Sequence, residues 1–299
     1  MNRWQKEYIL SNIKDEQEAL KELKKMYEDA LIQVNKKIKV LSEHEEMKSK
    51  IYQKKYQEAL QKQLEEILDE IDEYTTISDF LEKCYETGWT GTFYDIYHQG
   101  IPIAIPIDQT QVADALFKET KLKDGLYARL GYNKKALAKE INKIISGGVA
   151  TSMSFADVAG LIKKKFGINI SKSYTIARTE GHRVMTTASY HAMKSAVEMG
   201  CDVVKQWDSA LDSRTRDSHR LVDGEIRELD DLFSNGLRYP SDPNGQASEV
   251  INCRCALLQR ATWALDESEL KTLQERANYF GLDKSKQFDD FKNKYLKIR

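Results

Sequence analysis

Proline, cysteine and histidine are scarce in this chain: four, four and five respectively in 299 residues. Four cysteines in so long a chain, two of them as C-x-C, do not build a disulfide framework, and a reducing compartment at synthesis is the expectation. No run approaches the ~18 apolar residues of a membrane span, and M-N-R-W-Q-K-E at the N-terminus lacks the apolar core of a secretory signal. Neither sign of charge dominates, since 46 Lys and Arg face 47 Asp and Glu. Several enzyme signatures are also absent: the phosphate-cradling Walker A loop, the dinucleotide fingerprint, G-x-S-x-G, and the H-x-E with P-C-x-x-C of zinc deaminases. A histidine-metal nuclease would need a second histidine after His219, and the sequence has none.

What is present begins with helix. From Arg3 to about Tyr74 there is neither Gly nor Pro, and Ile13, Leu20, Tyr27, Val34 and Leu41 recur every seven residues. Such a stripe needs a partner to bury it. Ser42 followed by Glu45 resembles a capping box opening a second helix, with a stripe of Tyr52, Tyr56, Leu60, Leu64, Leu68 and Ile71. The two helices either fold back as a hairpin, the preferred expectation, or continue as one rod of about 100 Å at ~1.5 Å per residue. Trp89, Phe93, Tyr94 and Tyr97, set among Gly88, Gly91 and Gly100, read as helices turning aromatic side chains into a core. I-P-I-A-I-P-I at Ile101 to Ile107 cannot donate a full ladder and is an extended connector or edge strand. Helices are then expected at about Gln109 to Glu119, Asn133 to Ser146, Ser154 to Phe166 and Ser173 to Met199, with Asn133 and Ser154 as N-caps and glycines as stops.

After Gly200 the pattern changes. Val203 to Trp207 predicts a strand, Arg214 to Leu221 a short helix, Asp223-Gly224 a tight turn into a second strand at Glu225 to Arg227, and Ala256 to Leu258 a third. Helices at about Asp266 to Tyr279 and Ser285 to Leu296 follow. Charge is uneven along this route: Lys118 to Arg183 holds 14 basic and 5 acidic residues, whereas Asp202 to Val250 holds 6 and 11.

Trp207 to Cys255 concentrates the chemistry-bearing residues. A-R-T-E at Ala177 to Glu180, D-x-R-T-R-x-x-H at Asp212 to His219, D-G at Asp223, P-x-D-P at Pro240 to Pro243 and N-C-R-C at Asn252 to Cys255 occur in order. This ordered set resembles the Mu F-type domain of phage head-morphogenesis, or minor head, proteins, over roughly the last two fifths of the chain. The expected fold is predominantly α, with an N-terminal helical hairpin or coiled coil, a helical middle and a small α+β C-terminal module. The expected segments are a helical N-terminal region (1–100), a basic helical middle (101–172), the Mu F-like domain (173–262) and closing helices (263–299). The resemblance implies a non-enzymatic protein of the phage head, associated with the portal and with the major capsid or scaffolding protein. It would reside in the head interior near the portal, and in the host cytoplasm during assembly. The tail after Cys255 is too short for the toxin or transferase that some proteins with this domain carry.

Individual residues leave alternatives open. Arg178, Glu180, Trp207, Asp212, Arg214, Thr215, Asp217, Asp223, Gly224, Pro240, Asp242, Pro243, Asn252 and Arg254 are expected to form a structural network of guanidinium–carboxylate pairs and loop bonds. Glu180 and Arg183, three apart on a helix, can pair, and Arg178 is expected to anchor the acidic loops. His219, Cys253 and Cys255 are suitable zinc ligands, with Cys201, Asp217 or Asp223 as a fourth; a metal-free polar cluster, or a disulfide to Cys201, would use the same residues. Lys134, Lys135, Lys139, Lys143, Lys163, Lys164 and Lys165 form either a solvated face or a contact to double-stranded DNA. The rival to an assembly protein is a metal-dependent enzyme acting on nucleic acid.

Overall fold

The computed structural model describes residues 1–43, 50–118, 125–151, 153–263 and 267–298. In chain order the elements are α1 (Arg3–Glu43), α2 (Lys50–Asp69), α3 (Glu73–His98), α4 (Gln109–Ala113) leading into a π-helical turn (Asp114–Lys118), α5 (Gly125–Thr151), α6 (Phe155–Glu198), β1 (Cys201–Asp208), α7 (Asp217–Leu221), β2 (Ile226–Glu228), α8 (Ala247–Val250), β3 (Ala256–Trp263), α9 (Glu267–Tyr279), a 3-10 turn (Leu282–Lys284) and α10 (Phe288–Tyr295). Helix therefore predominates, and one small antiparallel sheet of order β2-β1-β3 occupies the C-terminal part, as expected. Among the described residues no helix is long and apolar enough to cross a membrane.

The chain divides into two compact units, each drawn from separated stretches: Glu18–Ile77 with Asp124–Ala177, and Met1–Gln17 with Ser78–Lys123 and Arg178–Arg299. In the first unit, Tyr27, Val34 and Ile38 share a core with Leu60, Leu64, Leu68 and Ile71, and with Leu137, Ile141, Ile162 and Phe166 of α5 and α6. A continuous rod would hold Tyr27 and Ile71 about 66 Å apart at ~1.5 Å per residue. The helices instead form the hairpin, because burying both stripes on each other removes their apolar surface from water. The Ser42–Glu45 capping box extends outside the described residues, as do the side chains of Leu41, Tyr52 and Tyr56. Ile13 leaves the stripe and is 42% exposed.

One polar cluster penetrates this core. The Tyr27 hydroxyl donates to the buried Glu73 carboxylate, Ser173 Oγ donates to the same oxygen (2.6 Å), and Asn169 Nδ2 donates to Tyr27 (3.0 Å). Burial raises the Glu73 pKa despite those donors.

Glycine does not stop the helices where the sequence suggests it would. α5 begins at Gly125, upstream of Asn133, and continues through Gly147 and Gly148 to Thr151. α6 runs 44 residues through Gly167, joining two helices expected to be separate. An interior glycine costs about 1 kcal/mol relative to alanine, and buried residues on both sides of Gly167, including Ile162, Phe166 and Ala177, outweigh it. Ser154 does cap α6: its Oγ accepts from Asp157 N (3.2 Å) and donates to the Asp157 carboxylate (2.6 Å).

In the second unit, α3 supplies the expected aromatic core. Trp89, Phe93 and Tyr94 are buried, and Phe288, Phe291 and Tyr295 of α10 pack against Phe93 and Tyr94 at ring separations of 5.0–5.8 Å. Ile101–Ile107 is neither helix nor strand, and Tyr295 bonds its Ile105 carbonyl (2.6 Å). Below the aromatic layer, buried Asp95 of α3 accepts from Asn2, Gln5, Gln99 and Gln259 side-chain amides at 2.7–2.9 Å. The Gln99 side chain also accepts from Ala261 N of the edge strand β3 (2.8 Å).

α3 and α6 approach closely at Gly88 and Gly181. A Cβ at Gly88 would lie 2.2 Å from the Met185 carbonyl oxygen, and one at Gly181 would lie 2.4 Å from the Phe80 ring. Gly88→Ala should therefore destabilise the protein by about 1–3 kcal/mol through overpacking, against the helix-propensity trend. Gly160→Ala, with open space around it, should stabilise by up to about 1 kcal/mol. Urea unfolding of the two variants checks this, and a stabilised Gly88→Ala would show that the helices can separate.

Candidate functional site

Strand alternation positions the site. Cys201, Val203, Lys205 and Trp207 of β1 face inward in alternation with half-buried or exposed residues. β1 pairs with β3 over its whole length, with Cys201 opposite Trp263 and Asp208 opposite Ala256. The C-x-C motif immediately precedes β3, so Cys255 lies at the Trp207–Asp208 end. Cys201 lies at the other end, some seven residues or about 23 Å along the ladder at ~3.3 Å per residue. It joins neither the metal-type cluster nor a disulfide; all four cysteines are free and buried.

Beyond β1 the chain turns through Leu211, whose φ is 52°. Ser209 holds this turn: its hydroxyl accepts from the Trp207 indole (3.1 Å) and donates to the His219 carbonyl (2.6 Å), while its amide donates to Asp223 (2.7 Å). Gly224, in the left-handed region at φ 77°, donates to the Trp207 carbonyl (2.9 Å), completing the turn into β2. α7 thereby presents His219 edge-on to Trp207, with ring centroids 5.1 Å apart. On the opposite side, Asn252 adopts φ 55°, a conformation asparagine tolerates, and its amide donates to Thr179 of the A-R-T-E element (3.1 Å).

These turns bring His219, Cys253 and Cys255 together. His219 Nδ1 lies 3.3 Å from Cys255 Sγ and 3.7 Å from Cys253 Sγ, and all three residues are buried. On the far side of the imidazole, Nε2 lies 3.0 Å from Glu249 Oε2, which also accepts from Ser218 Oγ (2.8 Å). The two neighbouring thiols shift each other in opposite directions, Cys255 below and Cys253 above the usual cysteine range. His182, half-buried, bonds the Cys255 carbonyl (2.8 Å) and Ser241 Oγ (2.7 Å); desolvation lowers its pKa.

The charged motif residues surround this cluster. Arg254 grips Asp212 with both guanidinium nitrogens, one at 2.6 Å, and this pairing holds the Asp212 carboxyl below the usual range. Asp212 also accepts from Arg214 N (2.9 Å) and Thr215 Oγ1 (3.2 Å). Arg216 reaches the Ile251 carbonyl (2.5 Å), whereas Asp217 opens α7 and is exposed. Asp242 accepts from Arg238 and Asn244 amides (2.9 and 2.7 Å), Pro243 next to it is half-buried, and the Pro240 carbonyl accepts from Thr186 (2.8 Å). Glu180 and Arg183 pair at 2.8 Å, both buried, with Arg183 also bonding the Ala115 carbonyl. Arg178 bonds Glu16 of α1 (2.8 Å), so this anchor is to the N-terminal helix.

The lysines of the basic middle belong to the other unit. Lys134, Lys135, Lys139 and Lys143 line a groove of about 1100 Å³ beside α2. Lys134 bonds the Ile71 carbonyl, while Lys143 and Lys165 pair with Glu140 (3.3 and 2.8 Å). Lys163 and Lys164 are exposed.

Glu249, Ser209, His182 and Lys205 were not singled out by the sequence. His182 follows A-R-T-E by two residues, and Glu249 precedes the C-x-C motif by four; proximity to motifs is the only signal either carries.

Residues 120–258 match the family model described as Phage Mu protein F like protein. The chain is similar to NAD(+)-arginine ADP-ribosyltransferase EFV of Enterococcus faecalis, at 26% identity over 268 residues that make up 87% of this chain and 55% of that protein. It is also similar to Minor head protein GP7 of Bacillus phage SPP1, at 26% identity over 195 residues, 62% of this chain and 63% of that protein. The chain thus spans only 55–63% of the length of these curated relatives. No solved structure matches it.

Lys205 occupies an inward position of β1, fully buried, and donates to the Leu229 and Asp231 carbonyls (2.6 and 2.5 Å) beside the Phe233 ring. Desolvation, helped by Arg238, lowers its pKa from 10.5 to about 8. Between those values the unfolded chain binds a proton that the folded chain does not, so the Lys205 contribution to stability rises with pH. The difference in unfolding free energy between wild type and Lys205→Met should shift in favour of wild type from pH 8 to about 10. A difference that stays flat over this window in denaturant titrations would mean that the ammonium is fully accommodated.

Proposed function

We propose that this chain, which carries the Mu F-like domain of phage minor head proteins, works by binding other head components during assembly and not by catalysis. The observation that carries this reading is the state of the motif residues themselves. Asp212, Asp242, Glu180 and Asn252 are spent on bonds within the chain, so the motif builds and stiffens a module instead of lining an open cleft. The relative named as a minor head protein supports the same role. The activity in the name of the Enterococcus faecalis relative is not carried over, because the similarity at 26% identity covers only 55% of that protein.

The partners we assign are the portal protein and the major capsid or scaffolding protein, in the head interior near the portal. Double-stranded DNA is a further partner, met by the exposed Lys135, Lys139, Lys163 and Lys164. Co-expression of the full chain with the portal protein of the same phage should yield a complex that survives size-exclusion chromatography. A monodisperse chain retained by neither portal nor capsid protein would remove the basis for this reading, and NAD-dependent modification of arginine substrates by the purified chain would replace it with an enzymatic one.

Binding to mixed-sequence duplex DNA should weaken linearly in log–log form with salt. Replacing those four lysines with glutamine should reduce the slope by about 0.9 for each phosphate that is no longer neutralised. A slope unchanged by the four substitutions would return these lysines to a solvated face.

A further inference from the structure

We infer that His219, Cys253 and Cys255 hold one zinc ion, with Glu249 orienting the histidine from behind. The three ligand atoms all lie within 4.8 Å of one another, and Nδ1 sits 3.3 and 3.7 Å from the two sulfurs. Zinc bonds of about 2.3 Å to sulfur and about 2.05 Å to nitrogen, at tetrahedral angles, separate S from N by about 3.6 Å and S from S by about 3.8 Å. The observed spacings bracket the first value, so an ion fits among these atoms with little rearrangement.

The ligand chemistry and surroundings agree. Two thiols and an imidazole suit a borderline-soft ion. Glu249 receives the Nε2 side of the ring at 3.0 Å and is itself held by Ser218 at 2.8 Å. A carboxylate behind a ligating histidine is the outer partner that fixes the ring and its tautomer. Asp223 is taken up by the Ser209 amide, and Cys201 is at the far end of β1, so three protein ligands remain and water completes the fourth position. The ion would tie α7, which follows β1, to the loop that enters β3.

The same atoms also spell a thiolate nucleophile, an imidazole and an orienting carboxylate. Access argues against that use: Cys255 is 2% exposed and Cys253 4%, and a reacting sulfur must meet its substrate.

The test uses the full chain purified without chelator. Elemental mass spectrometry should find one zinc per chain, and cobalt(II) added to metal-free chain should give thiolate-to-cobalt charge-transfer absorption that zinc displaces. Glu249→Gln, outside the ligand set, should keep the circular dichroism spectrum and lose about 10–100-fold in zinc affinity. Cys255→Ser should lose the charge-transfer band; a triple His219→Ala, Cys253→Ser, Cys255→Ser variant that still holds one zinc would place the ion elsewhere and overturn the site. A folded wild type that takes up neither metal also overturns it, and iodoacetamide then separates the remaining readings. Fast alkylation of Cys255 marks a nucleophile, and resistance marks a buried polar cluster.

Discussion

The buried carboxylate of Asp95 is the constraint on which the site-bearing unit rests. It gathers four side-chain amides, from Asn2 and Gln5 at the start of the chain, Gln99 on its own helix and Gln259 on β3. Asp95 has no exposed surface, and desolvation raises its pKa even so. Gln259 lies four residues beyond Cys255, so the strand that delivers C-x-C is also tied to α3. Gln99 then satisfies the Ala261 amide, covering part of a sheet edge that would otherwise be open to another strand.

Both units solve the problem of a buried acid in the same way. Glu73 is met by hydroxyls in one and Asp95 by amides in the other, and among the described residues no cation bonds either carboxylate. Neutral donors avoid the second desolvation cost that a buried ion pair carries. Where arginine and carboxylate do pair bidentately, at Arg254 and Asp212, the bond sits at the surface of the motif loops, where it shapes the chain without entering the core. Glu180 and Arg183 are the buried exception, and there the arginine also engages a backbone carbonyl.

Local pattern was legible in the sequence, and long-range partnership was not. The stripes through Tyr27 and Leu64 told which faces are buried, and the change of pattern after Gly200 told that a strand runs into Trp207. The convergence of His219 with C-x-C could be suspected from residue type alone. Register could not: Cys201 looks like a fourth ligand until the ladder carries it opposite Trp263. Lys205 sits in the inward phase of β1, yet a lysine at that phase signals exposure unless carbonyls such as those of Leu229 and Asp231 are known to wait for it. Glu249 and His182 acquire roles only from contacts made across 30 and 73 residues. Glycine misled for a related reason, since its local helix penalty says nothing of the packing that overrides it at Gly167.

The interleaving of the two units has a consequence for synthesis. The last residue of the first unit is Ala177, whereas the second needs Arg178–Arg299 as well as Met1–Gln17. At ~5–20 residues per second, the ribosome takes roughly 6–24 s to add those 122 residues. During that interval the first unit has all its parts, while Tyr8, Phe80, Trp89 and Phe93 have left the ribosome without β3 or α10. The nascent chain therefore carries an uncovered aromatic surface beside a unit free to finish folding, and that half-built state is the one a chaperone would meet.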